Sequence, residues 1–234
     1  MKAINTQFTL IMFIAAVCFT SVDAAPVSVP GIADPWLAGM PDGSTASSGD
    51  VAPAQSPVLV PGLTFMSGSL FTFTVSGGVG FAPDRPLAPS DGGDAIAPHA
   101  DGTQNGISAL TAPHESLIGV FLSPTQPSFL AAPAGLDFSS AASRDYLTLA
   151  PLIQQVFFIG DGLTSNSVRQ QIAIPTGATR LFLGSMDGLE WSNNTGSFSV
   201  TVANVPEPSS LLLLLSIAAL SLQRCLLRPN ERNA

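Results

Sequence analysis

Short apolar runs broken by Gly, Pro, Asn and Asp recur along the chain and predict strands rather than helices. The clearest alternation is at Phe198, Val200 and Val202, which alternate with Ser or Thr, so that one face of the strand is apolar and the other carries hydroxyls. Two runs that are apolar on both faces, 116–122 and 156–160, predict buried central strands. Further strands are predicted at 58–60, 70–75, 170–174 and 181–183.

About eight short strands of this kind predict an all-β fold, a jelly-roll-like, two-sheet β-sandwich. We place this domain at residues 34–203, after a short linker at 25–33. The last two predicted strands and the loop between them form a predicted β-hairpin. The loop at 81–106 is long enough to be either functional or disordered.

Residues 1–24 have the pattern of a secretory signal peptide. Lys2 precedes an apolar run, 8–20, that is too short to span a bilayer comfortably. Small residues at Val22 and Ala24 suit cleavage after Ala24. A buried N-terminal helix is the alternative, which the prolines that follow disfavour.

The C-terminal segment, residues 205–234, combines a short motif, an apolar run and basic residues. About 14 residues of helix span roughly 21 Å, which is short of a hydrocarbon core of roughly 30 Å. Extending the membrane helix over 209–227 closes part of this gap if Arg224 snorkels. The basic end at 228–234 places the tail in the cytoplasm. The motif and the basic residues are Val205, Pro206, Glu207, Pro208, Arg224, Arg228 and Arg232.

This three-part pattern resembles a PEP-CTERM sorting tail. The resemblance implies that an exosortase, a membrane-embedded cysteine transpeptidase-like enzyme, recognises and removes the tail. The protein would be exported and anchored in the inner membrane by its C-terminal helix before processing. It would then reach the cell surface or an extracellular matrix of exopolysaccharide. An ordinary tail anchor is the alternative, which the Pro-Glu-Pro motif disfavours.

Two features of the composition of residues 25–205 bear on how the domain is stabilised and on which partners it can bind. These residues contain no cysteine, because Cys18 and Cys225 lie in the terminal segments, so no disulfide holds the domain together. A bound ion could supply part of the missing restraint. These residues also carry four Arg against thirteen acids, a formal charge near −9. A surface of this sign repels nucleic acid, so we expect no nucleic-acid partner.

No catalytic motif is recognisable in the sequence. The chain has two histidines, His99 and His114, and His114 precedes a predicted buried strand, where a structural histidine is expected. Pairs of carboxylates occur by chance among so many acids, so they do not indicate a glycosidase. We therefore predict that the protein is not an enzyme.

The predicted loop between the last two strands is rich in side-chain oxygens. Asp187 and Glu190 supply carboxylates, Asn193 and Asn194 supply amides, and glycines allow a tight turn. These groups and free loop carbonyls are ligands for a hard cation such as calcium. Loops of this composition also occur without a ligand, and the spacing matches no EF-hand. Glu115 is distant in sequence and is predicted to be remote from this loop.

The stretch Asn-Asn-Thr-Gly-Ser-Phe-Ser-Val at 193–200 resembles the calcium-binding C-terminal hairpin of the small bacterial galactose-binding lectins. The resemblance implies a galactose-binding-like sandwich in which Asp187 and Asn193 give side-chain oxygens to Ca²⁺. Asn194 and a residue near Glu190 would give backbone carbonyls.

A weaker match over 68–121 extends the resemblance to a second part of the chain. It implies a further calcium-binding carbonyl from Phe81, and it places His99 where these lectins have a sugar-contacting histidine. The indole of Trp191 could stack on a pyranose ring, whereas Trp36 is expected in the core. A solvated loop without a ligand is the alternative for the second match. The expected sugar-binding residues are His99, Gln104, Asn105 and Trp191.

Three functional classes are consistent with these patterns. The first is an exported protein with a calcium-dependent carbohydrate-binding module, whose partner is an extracellular polysaccharide or another glycan. The second is a non-catalytic structural matrix protein in which the ion is only structural. The third, and the least favoured, is an exported hydrolase.

Overall fold

The computed structural model of the chain describes residues 25–46 and 57–205. The predicted signal peptide, the sorting motif beyond Val205 and the predicted membrane helix lie outside these ranges. Within them, no helix is long and apolar enough to cross a membrane.

Strands make up most of the regular structure in these two ranges, and the single α-helix found there, α1 (Ala141–Arg144), is one turn long. The all-β prediction is therefore confirmed. Short 3₁₀ turns lie at Pro35–Leu37, Pro127–Phe129 and Trp191–Asn193. The strands are β1 (Val27–Pro30), β2 (Val58–Leu59), β3 (Leu70–Gly80), β4 (Ile96–Pro98), β5 (Leu110–Pro113), β6 (Leu117–Leu122), β7 (Leu136–Asp137), β8 (Thr148–Leu149), β9 (Val156–Phe158), β10 (Gln171–Ala173), β11 (Arg180–Ser185) and β12 (Thr195–Val205).

The strands form three sheets. A five-stranded sheet has the order β1-β12-β3-β10-β8, a four-stranded sheet the order β2-β11-β6-β9, and a small sheet the order β4-β5-β7. The longest pairing joins β3 to β12 in antiparallel fashion, from Leu70 opposite Val205 to Gly80 opposite Thr195. The seven predicted strands correspond in chain order to β2, β3, β6, β9, β10, β11 and β12.

The two larger sheets pack face to face over the main hydrophobic core. Phe73 and Phe198 of the five-stranded sheet and Phe121 and Leu183 of the four-stranded sheet are all buried in this cluster. This packing is the sandwich-like arrangement that the alternation of apolar and polar residues predicts.

Strand β6 is buried on both faces. Leu117 and Phe121 belong to the main core, whereas Ile118 and Val120 belong to a second cluster. The second cluster also contains Trp36 and residues of the small sheet, which together cover the outer face of the four-stranded sheet. This double coverage explains why the sequence of β6 is apolar throughout rather than alternating.

Two predicted boundaries are wrong. The linker predicted at 25–33 contains β1, which pairs with β12. The loop predicted at 81–106 contains β4, which pairs with β5. Both strands are too short to show a period, and their hydrogen-bond partners lie far away in the sequence.

The predicted hairpin at the end of the domain is also wrong, because β11 and β12 lie in different sheets. Leu181 and Leu183 of β11 and Phe198 and Val200 of β12 enter the main core from opposite sides. Since both apolar faces are buried against each other, the chain crosses from one sheet to the other between these strands.

Candidate functional site

Three loops meet at one end of the sandwich. The end of β3 pairs with the start of β12, Gly80 opposite Thr195, so the neighbouring residues Phe81 and Asn194 lie at the same sheet end. The end of β11 pairs with the start of β6. The loop that follows β11 therefore lies beside the segment that precedes β6. Glu115 of that segment accepts a hydrogen bond from the Phe81 N–H and donates one to the Met186 carbonyl.

Asp187 lies just beyond β11 and is nearly buried, with 4% of its surface exposed. Its Oδ1 accepts a hydrogen bond from the Leu189 N–H at 3.2 Å. Nε2 of His114 lies 3.6 Å from the same oxygen. The imidazole of His114 also contacts the Phe81 ring edge-on, with ring centroids 5.5 Å apart. His114 thus connects Asp187 to Phe81.

Glu115 lies next to the loop at Asp187, although the sequence predicted that it would be remote from it. It is buried, and its backbone N–H donates to the Met186 carbonyl at 2.6 Å. Its Oε1 accepts from the Phe81 N–H at 3.1 Å. The prediction that Glu115 is remote from the loop at Asp187 is therefore wrong. Only the tertiary contact between the β6 and β11 ends brings it there, so no local signal could have found it.

The loop after Asp187 is a tight turn. Glu190 has a left-handed backbone, with φ of 65°, and the 3₁₀ turn Trp191–Asn193 follows it. The Asn193 N–H donates to the Glu190 carbonyl at 3.4 Å, and the Asn194 N–H donates to the Trp191 carbonyl at 3.1 Å. The side chains of Glu190 and Asn193 are exposed.

Asn194 contains the feature that best fits a bound cation. Its Nδ2 donates to the Gly31 carbonyl at 3.0 Å, which also accepts from the Ser185 hydroxyl at 2.6 Å. The Asn194 Oδ1 is buried and has no hydrogen-bond partner in the part of the chain that the structure describes. A buried acceptor without a partner is costly, and a cation beside it would remove that cost.

The oxygen donors at this sheet end are the Asp187 carboxylate, the amides of Asn193 and Asn194, and backbone carbonyls. No group of three or more His, Cys, Asp or Glu side chains within residues 25–46 and 57–205 is placed to hold a metal ion. A site at this sheet end would therefore use Asp187 together with amide and backbone oxygens. Calcium is the common protein-bound ion that accepts such ligands.

His99 lies in an aromatic cluster next to this loop. Its ring stacks on Trp36 with centroids 3.6 Å apart and an interplanar angle of 7°, and it lies 5.8 Å from the ring of Trp191. Its Nδ1 donates to the Gly102 carbonyl at 2.7 Å. Burial lowers the pKa of the imidazole, and the hydrogen bond to Gly102 and the charge of Asp101 only partly oppose this effect, so burial favours the neutral ring.

The structure places Trp191 in the core rather than on the surface. It is 1% exposed, and its Nε1 donates to the Ser185 carbonyl at 3.0 Å. Trp191 belongs to the second hydrophobic cluster, so its ring is not available to stack on a sugar, contrary to the prediction. Trp36 is fully buried, as expected, and its Nε1 donates to the Ser108 carbonyl at 2.9 Å.

The two remaining predicted sugar-binding residues lie in the same region. The Asn105 amide donates to the Trp36 carbonyl at 2.9 Å, so that donor already has a structural partner. Gln104 is half-buried, and its backbone exchanges two hydrogen bonds with Ile107. The Ala100 N–H donates to the Gly188 carbonyl at 3.0 Å, which links this loop to the one at Asp187.

A cleft of about 480 Å³ opens next to Phe81. The guanidinium of Arg85 lies 5.1 Å from the centroid of the Phe81 ring, and Glu115 and Asp94 also line the cleft. The cleft is large enough for a sugar residue and places polar and apolar groups next to each other.

No family model matches the chain, and no curated protein is significantly similar to it.

Proposed function

We propose that the protein is a calcium-dependent carbohydrate-binding module with a jelly-roll sandwich like that of the bacterial galactose-binding lectins. The observation that supports this most is the meeting of Phe81, Asp187 and Asn194 at one sheet end. Phe81 is far in sequence from Asp187 and Asn194, which share one loop, yet each of the three belongs to the ligand set that the lectin resemblance implies.

In this proposal Asp187 and Asn193 bind Ca²⁺ through side-chain oxygens. The lectin resemblance adds backbone carbonyls of Phe81, Glu190 and Asn194. The buried Asn194 Oδ1, which has no hydrogen-bond partner among the described residues, is a further oxygen for the ion. Calcium takes six to eight oxygens, so water or the paired hydroxyls of a sugar supply the rest. When bound, the ion would orient those hydroxyls and stabilise the loops by mass action.

The sugar-binding part of the proposal rests on fewer side chains than the sequence suggested. Gln104 is half-buried and remains a candidate for hydrogen bonds to a sugar, whereas His99 is 4% exposed and its ring stacks on Trp36. Asn105 and Trp191 are engaged in the fold. The cleft beside Phe81 offers room for a further part of a glycan.

We also propose an exported location. The signal-peptide pattern at 1–24 and the Pro-Glu-Pro tail support export, inner-membrane anchoring and removal of the tail by an exosortase. The protein would then act at the cell surface or in extracellular polysaccharide. The acidic domain fits such a matrix where divalent cations bridge it to anionic polymers.

A structural matrix protein is the second candidate. The burial of His99 and Trp191 favours it, because few of the predicted sugar-binding groups are left on the surface. In that case the ion would stabilise the fold and no glycan would bind.

Calorimetric titration of the purified protein tests both candidates. Calcium chloride is titrated first, and galactose is then titrated into the calcium-loaded protein. Heat from both titrations supports the carbohydrate-binding module. Heat from calcium alone supports the matrix protein, and the absence of calcium binding excludes both roles for the ion.

A further inference from the structure

We infer that Glu115 is a positioning residue for the calcium site, an inference that rests on the proposed function. Its role is to hold the backbone at Phe81 against the loop that contains Asp187. It acts through hydrogen bonds to these two loops and does not itself bind the ion.

Glu115 makes one hydrogen bond to each of the two loops. Its N–H donates to the carbonyl of Met186, the residue before Asp187, at 2.6 Å. Its carboxylate accepts from the N–H of Phe81 at 3.1 Å. Phe81 directly follows β3 and Met186 directly follows β11, and these strands belong to different sheets, so the two bonds link two separately supported loops.

The preceding residue joins the same two loops a second time. The His114 ring contacts Phe81 on one side and its Nε2 approaches Asp187 Oδ1 on the other. His114 and Glu115 lie three and two residues before β6, all of whose residues are buried. The contacts to both loops therefore come from the short segment that leads into this buried strand.

The stability of the fold alone does not favour glutamate at this position. The backbone of Glu115 is left-handed, with φ of 68°, a conformation that suits glycine. Glu115 is 6% exposed as a residue, and among the described residues no cationic side chain forms an ion pair with it. A largely buried polar group is costly without partners, and the hydrogen bond from the Phe81 N–H offsets part of that cost.

Two substitutions separate positioning from a purely structural role. Glu115→Gly removes the acceptor and relieves the left-handed backbone, whereas Glu115→Gln keeps an oxygen that can accept from Phe81. For Glu115→Gly we expect a calcium Kd at least about tenfold higher, as for other residues that orient metal ligands, with no loss of melting temperature in chelator. For Glu115→Gln we expect a calcium Kd within about threefold of the wild-type value. This change is smaller than the roughly tenfold or larger weakening that follows when a residue that orients metal ligands is removed.

Titration of calcium chloride into the purified variants measures each Kd, and melting in chelator measures the metal-free stability. An unchanged Kd in Glu115→Gly overturns the inference. Equal weakening in both variants also overturns it, because the charge would then act on the ion directly. If Glu115→Gly does not fold, Glu115→Asn replaces it, since Asn tolerates the left-handed backbone but is too short to reach Phe81. Wild-type protein that binds no calcium refutes the proposed function itself, which is a separate outcome.

Discussion

Nε2 of His114 lies 3.6 Å from Oδ1 of Asp187, although the two residues lie in loops at the ends of different strands. This approach, together with the ring contact between His114 and Phe81, brings the nearly buried Asp187 carboxylate next to the end of β3. This carboxylate has the His114 ring beside it and accepts a hydrogen bond from the Leu189 N–H. The following predictions test the proposal that it also binds calcium.

Asp187→Asn should abolish stabilisation by calcium. At free calcium about 100 times Kd, the wild-type protein should gain roughly 2.7 kcal/mol in free energy of unfolding. The substitution keeps the side-chain shape but removes the charge that attracts the ion. Thermal melting in calcium and in chelator measures the gain for each protein.

The control for this experiment is Asp137→Asn, which neutralises an exposed carboxylate on the small sheet. It should respond to calcium as the wild type does. Identical melting of the wild-type protein in calcium and in chelator would show that there is no calcium site.

The buried His99 should make the fold less stable in mild acid. Because burial lowers its pKa in the folded state, the unfolded chain binds a proton more readily below the ordinary pKa of about 6.5. The free energy of unfolding should therefore fall as the pH drops below that value, until the folded ring also becomes protonated. Urea unfolding between pH 7 and pH 5 measures this slope.

His99→Phe keeps an aromatic ring against Trp36 but has no group that titrates in this range. The variant should show a shallower loss of stability between pH 7 and pH 5. A slope as steep as that of the wild-type protein would assign the acid sensitivity to other groups.

Phe121→Ala should destabilise the protein by about 3–5 kcal/mol, because it opens a cavity where the two large sheets meet. The Phe121 ring is fully buried and stacks on Phe157 and Phe71 at 5.3 and 6.1 Å between centroids. The matched control is Phe129→Ala, which truncates a ring that is 75% exposed and should cost less than about 0.5 kcal/mol. Urea unfolding compares the two, and equal effects would contradict the observed packing.

The mature protein should begin near Ala25 and end close to Pro208. This prediction follows from the small residues at the signal-peptide boundary and from the Pro-Glu-Pro motif. Intact-mass measurement on protein from its native host checks both ends. A species that retains Met1 and Arg228 would refute the proposed processing.

The sequence alone determined the strands that have a clear local pattern. Alternation at Phe198 to Val202 predicted β12, and the unbroken apolar runs predicted that β6 and β9 are buried. These features depend on the period of side chains along one strand, so neighbouring residues are enough to reveal them. The oxygen-rich composition of the loop at Asp187 was equally visible.

Tertiary structure alone decided which loops meet. The sequence predicted a hairpin, yet β11 and β12 belong to opposite sheets, because burying their apolar faces against each other is more favourable than pairing their edges. The same packing brings Glu115 to Phe81 and covers Trp191. Such contacts depend on which sheets stack and in what register, and no local period in the sequence records that choice.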